Sequence, residues 1–107
     1  MKTEILAELV ATIKARKTAA PESSWTAKLL SQGVQTCAKK FGEEAVEAAL
    51  ASVTGDKAHL KAEAADVIYH LLVLLEASGV DLADVLDELA ARQQRSGIVE
   101  KAARGKS

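Results

Sequence analysis

Four acids stand at a spacing that can do chemistry. Glu44 and Glu47 are three residues apart, and so are Glu63 and Asp66. On a helix, side chains at i and i+3 share a face and lean toward the N-terminus, so each pair presents two carboxylates together. The fifteen residues between Glu47 and Glu63 let one helix finish, turn at Gly55 and return antiparallel. The two pairs would then face each other. Four gathered carboxylates repel one another and lose hydration, so they need cations, protons or donors as compensation. Mg²⁺, or alternatively Mn²⁺, accepts such hard oxygen ligands.

The opposing reading is an ordinary wet helix face. Lys39 with Glu43 and Lys40 with Glu44 make i,i+4 pairs of the kind exposed helices use, each worth about 0.2–0.5 kcal/mol. What tells against it is the company of Glu63 and Asp66. They share a side with Val67, His70, Val73 and Leu74 on a helix with little polar face left. Acids there are expected to look into a cleft. Glu43 points farther away than Glu44 and is read as a neighbour of the site, a base or a surface residue. His70 falls on the acidic side, as a core histidine or as a group that orients a carboxylate or contacts substrate. His59 is expected to be exposed, Cys37 to pack in the core, and Trp25 to plug the core rather than cover a base.

The elements that position these residues follow from period and punctuation. Ile5, Leu6, Leu9, Val10 and Ile13 predict a helix over about 4–18. Ala20-Pro21 ends it, because proline disfavours a helical residue before it. Ser23 or Ser24 caps a short helix at 26–31. A long helix starts near Val34 or Gln35, with Val34, Cys37, Ala38, Phe41, Ala45, Ala48 and Ala49 on one stripe and Val46 and Leu50 on another. Two apolar faces predict packing on both sides, within the subunit or across a dimer. Gly42 inside this helix costs about 0.5–1 kcal/mol against alanine; it marks either a close approach or a tolerated residue. Asp56 caps a helix over 57–77, expected to be the most buried, and Gly79 suits its left-handed end. Asp81 caps a fourth main helix whose inner stripe is Leu82, Val85, Leu86 and Leu89. The expected architecture is an all-α bundle of about four main helices. It forms one catalytic domain at 1–95, with a basic tail at 96–107.

Composition narrows the options. The chain has 107 residues, and a domain of that size buries only about 60–65% of the surface its unfolded chain exposes. Its stability would gain from a partner subunit. The balance of 14 basic and 15 acidic residues gives no strong field for nucleic acid. One cysteine excludes an internal disulfide and a cysteine-based zinc cluster within one chain. The start lacks a signal-peptide core and no apolar run approaches a membrane span, so a cytoplasmic location is expected. The Glu-x-x-His pattern of di-iron bundles and the GxxxxGK[ST] phosphate loop are both missing from the sequence. Hard oxygen ligands with little else suit metal-assisted phosphate chemistry. Lys28, Lys39, Lys40, Arg92 and Arg95 offer charge for phosphates, and each also has a plain solubility reading.

Lys39-Lys40-Phe41-Gly42-Glu43-Glu44-Ala45-Val46-Glu47, followed by Glu63-Ala64-Ala65-Asp66, resembles the EExxE…ExxD pattern of all-alpha nucleoside triphosphate pyrophosphohydrolases. Ser24-Trp25-Thr26-Ala27-Lys28-Leu29-Leu30 and the stretch from Asp66 to Leu75 narrow the resemblance to the phosphoribosyl-ATP pyrophosphohydrolase family. It covers about residues 5–89, and Ser96 to Arg104 is similar to the tail of some bacterial members. The resemblance implies a homodimer and metal ligands at Glu44, Glu47, Glu63 and Asp66. It implies Glu43 as an acidic neighbour and Thr26, Lys28, Lys40 and His70 on the substrate side. It also implies hydrolysis of 1-(5-phosphoribosyl)-ATP to 1-(5-phosphoribosyl)-AMP and pyrophosphate, the second step of histidine biosynthesis. The chain is expected to be monofunctional. The competing expectations are a related pyrophosphohydrolase of ordinary or modified nucleotides, and a helical dimer with a scaffold role.

Overall fold

Breaks at Pro21, Gly33, Gly55 and Gly79 divide the chain into helices. The computed structural model describes Lys2 and residues 4–94. Five α-helices follow in order: α1 Glu4–Arg16, α2 Trp25–Ser31, α3 Val34–Thr54, α4 Lys57–Ser78 and α5 Leu82–Gln93, with a 3-10 turn at Pro21–Ser23. The expected all-α class holds. Both the tail expected at 96–107 and Arg95 lie outside the described residues.

The ends are decided locally. α1 stops two residues before its expected end, where Lys17 and Ala19 N–H groups turn to the carbonyls of Lys14 and Arg16. Such i→i−3 bonds tighten a final turn. Of the two serines, Ser24 is the cap: its hydroxyl accepts from Ala27 N at 3.2 Å. Asp56 caps α4 by accepting from His59 N at 3.0 Å. Gly55, at φ 80°, turns the chain from α3 into α4 through a left-handed conformation that side-chain-bearing residues rarely adopt. At the far end of α4, Val80 N bonds Leu75 O at 3.0 Å and Gly79 N bonds Glu76 O at 3.3 Å. That is the paired closure of a Schellman end.

The hairpin of α3 and α4 is the dominant pairing, and α1 and α2 pack across it. Ile13, Leu29, Cys37, Leu72 and Val73 form one buried cluster drawn from the first four helices. Cys37 is core, as expected: its thiol donates to Leu29 O at 3.3 Å, and burial pushes its pKa up. α4 holds more buried residues than any other described helix, His70, Leu72 and Val73.

Three expectations need correction. Asp81 begins α5 but its side chain caps no N–H. Its carboxylate lies 3.5 Å from Lys14 Nζ on α1 instead. The α5 stripe is only half inward: Leu82 and Val85 are half-buried, while Leu86 and Leu89 are exposed. α5 joins the core cluster through Leu82, in its first turn, and Leu86 lines an open groove against Leu6 and Val10 of α1. Trp25 does not plug the core, being 52% exposed at the start of α2. The second face of α3 is likewise uncovered at Val46, Leu50 and Val53.

Candidate metal centre

Gly55 lies at the midpoint of the acid pattern. Glu44 stands eleven residues before it and Asp66 eleven after; Glu47 and Glu63 stand eight to either side. At about 1.5 Å per residue, matching positions on the two arms lie at matching heights. The hairpin therefore brings acids of one arm beside acids of the other.

Three of the four gather. One carboxylate oxygen each from Glu44, Glu63 and Asp66 lies within 4.8 Å of the other two. Glu44 and Glu63 are half-buried, and Asp66 is exposed at the edge. Glu47 stands outside this trio on the exposed side, though its charge and hydrogen bond act on Glu44. Burial, then Glu47, then Asp66 and Glu63 raise the Glu44 pKa above the usual carboxylate range. Oε2 of Glu63 is shut off from solvent and has no hydrogen-bond partner among the described residues.

These features pass the test for a hard divalent cation. The donors are all carboxylate oxygens, Glu63 carries an oxygen buried without a hydrogen-bond partner among the described residues, and the charges of the other acids act against Glu44. Glu44, Glu63 and Asp66 are the residues that would hold such an ion.

The surroundings are mixed. His70 is buried on α4, with Nε2 4.0 Å from Glu44 Oε1. Burial lowers its pKa, Lys40 lowers it further, and Asp66 opposes them. Tyr69 meets the His70 ring edge-on at 5.0 Å. The Tyr69 hydroxyl is hydrogen-bonded to Thr26 Oγ1, which ties α2 to α4 one turn from Asp66. Lys40 lies 3.6 Å from Glu43, an i,i+3 contact in place of the expected pair with Glu44. Glu43 is thus on the outer side, away from the trio. Lys28 Nζ is 5.8 Å from the centre of the Trp25 ring, a cation–π contact on the surface of α2.

Two neighbours of the site were not assigned to it from the sequence, and one of them, His59, is exposed as expected. His59 Nε2 lies 3.3 Å from Glu63 Oε1. Its i,i+4 spacing to Glu63 was a readable signal. Tyr69 had none, because its partner Thr26 is 43 residues away. A hollow of about 370 Å³ opens beside the trio toward the turn, lined by Glu47, Leu50, Ala51, Thr54, His59 and Glu63. A larger apolar groove of about 650 Å³ between α1 and α5 contains none of these acids.

An all-helical hairpin with carboxylates facing across it is the arrangement expected of all-alpha nucleoside triphosphate pyrophosphohydrolases. Comparison with known proteins narrows the class. The family model described as Phosphoribosyl-ATP pyrophosphohydrolase matches residues 6–93. A protein of Ruegeria pomeroyi named Phosphoribosyl-ATP pyrophosphatase is 63% identical over 102 residues, covering 95% of this chain and 97% of the relative. A Cereibacter sphaeroides protein of the same name is 60% identical over 101 residues, covering 94% and 98%. One from Dinoroseobacter shibae is 63% identical over 100 residues, again covering 94% and 98%. The chain belongs to the phosphoribosyl-ATP pyrophosphohydrolase family.

Proposed function

We infer that this chain is an enzyme that hydrolyses phosphoribosyl-ATP to phosphoribosyl-AMP and pyrophosphate, a step of histidine biosynthesis. Family membership across residues 6–93 supplies the reaction. The observation that carries the site is the convergence of Glu44, Glu63 and Asp66 from opposite arms of one hairpin. Water adds its oxygen to a phosphorus of the α–β bridge, the bridging P–O bond breaks, and pyrophosphate leaves. The proton lost by water passes to a carboxylate or to solvent.

In this reading Glu44, Glu47, Glu63 and Asp66 hold Mg²⁺, with Mn²⁺ as a substitute. Bound there, the ion would supply positive charge for phosphate oxygens and lower the pKa of a water. Glu47, one turn from Glu44 on α3, would be the fourth ligand. Glu43 stays an acidic neighbour available to the water. Lys28 and Lys40 attract the polyphosphate, Thr26 is held ready by Tyr69, and buried His70 supports Glu44 from behind.

The same reading has the chain as a homodimer. Val46, Leu50 and Val53 on α3 and Leu86 and Leu89 on α5 are exposed apolar groups that a second copy would cover. No described helix is long and apolar enough to cross a membrane. The reading places the enzyme in the cytoplasm, with a nucleotide substrate and no nucleic-acid or membrane partner.

The deciding experiment is pyrophosphate release from phosphoribosyl-ATP, ATP, dUTP and dCTP, each with and without Mg²⁺. Preference for phosphoribosyl-ATP with dependence on the ion is expected. Preference for a plain nucleotide would overturn the substrate assignment. Full activity of an E44A/D66A double variant would overturn the site.

A further inference from the structure

Glu63 has two unlike oxygens. Oε1 faces Nε2 of His59 at 3.3 Å, one turn earlier on α4. Oε2 is closed to solvent and without a hydrogen-bond partner among the described residues. The last torsion of a glutamate is broad and roughly two-fold, so a free carboxylate exchanges its oxygens easily. A donor on one oxygen removes that freedom. The backbone carrying the imidazole is itself anchored, because the His59 N–H donates to the Asp56 carboxylate that caps α4. His59 and Glu63 both line the hollow shared with Glu47 and Thr54, where the His59 side chain is about half exposed and Glu63 much less so.

We propose that His59 is a positioning residue: it holds Oε1 of Glu63 and so presents Oε2 to a divalent cation shared with Glu44 and Asp66. This rests on the metal reading above. At 3.3 Å the contact is an ion-pair distance, and a proton on Nε2, in the charged ring or in the neutral tautomer that carries it there, makes it attractive. A carboxylate ligand restrained in this way gives up less freedom when the ion binds. Losing such a partner costs about 10–100-fold in metal affinity. An ordinary exposed i,i+4 pair would leave that affinity unchanged.

The test is Mn²⁺ binding by the full chain, followed through the electron paramagnetic resonance signal of free Mn²⁺. Circular dichroism would be recorded on every variant. The wild type should bind and E63Q should lose most binding. H59A should bind about 10-fold more weakly with unchanged helicity. H59Q, whose amide N–H reaches a position similar to Nε2, should stay close to the wild type. Wild-type affinity in H59A would overturn the role of His59 and leave the metal site standing. Equal weakening in H59A and H59Q would overturn the donor role. No Mn²⁺ binding by the wild type would overturn the metal reading and this proposal together.

Discussion

Nε2 of His70 stands 4.0 Å from Oε1 of Glu44, a buried imidazole on α4 facing a carboxylate on α3. The pair does not neutralise itself. Burial and Lys40 hold the His70 pKa down, so the ring tends to stay uncharged. Burial and the neighbouring acids hold the Glu44 pKa up, so its ionised form is under strain. The charge balance at Glu44 is left for something other than His70 to complete.

Glu44 should therefore cost the cation-free protein stability. Its raised pKa means the folded state keeps the proton to higher pH than the unfolded chain. The favourable contribution is present below the usual glutamate value near 4.5 and is lost as pH rises through the folded value. At pH 7.5 without divalent ions, E44Q should melt above the wild type. Adding Mg²⁺ to about 100 times its Kd should stabilise the wild type by about 2.7 kcal/mol. The same addition should do little for E44Q. Thermal melts with Mg²⁺ and with EDTA measure both effects.

Glu76 works in the opposite direction. Lys14 lies 2.8 Å from one of its oxygens and Lys17 3.5 Å from the other. The hydrogen bond from Lys14 is the leading cause that lowers the Glu76 pKa, with burial opposing it. Its contribution is present above the unfolded glutamate value and is lost as pH falls through the folded one. E76Q should thus lower the melting temperature at pH 7, and the gap from the wild type should shrink below pH 4. A melting series across that range checks the sign. Added salt should narrow the gap at pH 7, because both lysines are exposed.

Gly42 offers a stabilising change. It lies within α3, and a Cβ built there meets nothing within 4 Å. The close approach considered for it does not occur among the described residues. G42A should add about 0.5–1 kcal/mol by helix propensity. Denaturant titration measures the gain. Pyrophosphate release should be retained, since the open space beside Gly42 leaves room for the added methyl.

The exposed apolar groups of α3 should matter for assembly. Val53 is 81% exposed and Leu50 61%. Charges placed there cost little in an isolated subunit and a great deal in an apolar interface. An L50E/V53E variant should sediment as a monomer with unchanged helicity, while the wild type should sediment as a dimer. Analytical ultracentrifugation at micromolar concentration separates the outcomes.

Helices, two of their side-chain caps and the spacing of the acid pairs were legible residue by residue. Ser24, Asp56 and Gly79 act where their chemistry placed them, because a cap depends on three or four adjacent residues. The same locality makes Glu63 and Asp66 neighbours, and His59 a neighbour of Glu63. Tertiary packing decided the rest. Which acids of the two arms meet depends on how α3 and α4 are rotated and slid against each other, and that is set by distant contacts such as Ile13 and Leu29 against Leu72 and Val73. Glu44 was turned into the trio and Glu47 left at its margin, although both satisfy the same spacing. Thr26 found Tyr69, Lys40 took Glu43, and Asp81 left its cap for Lys14. A helical period says which residues share a face; only the packed neighbours say what that face will see.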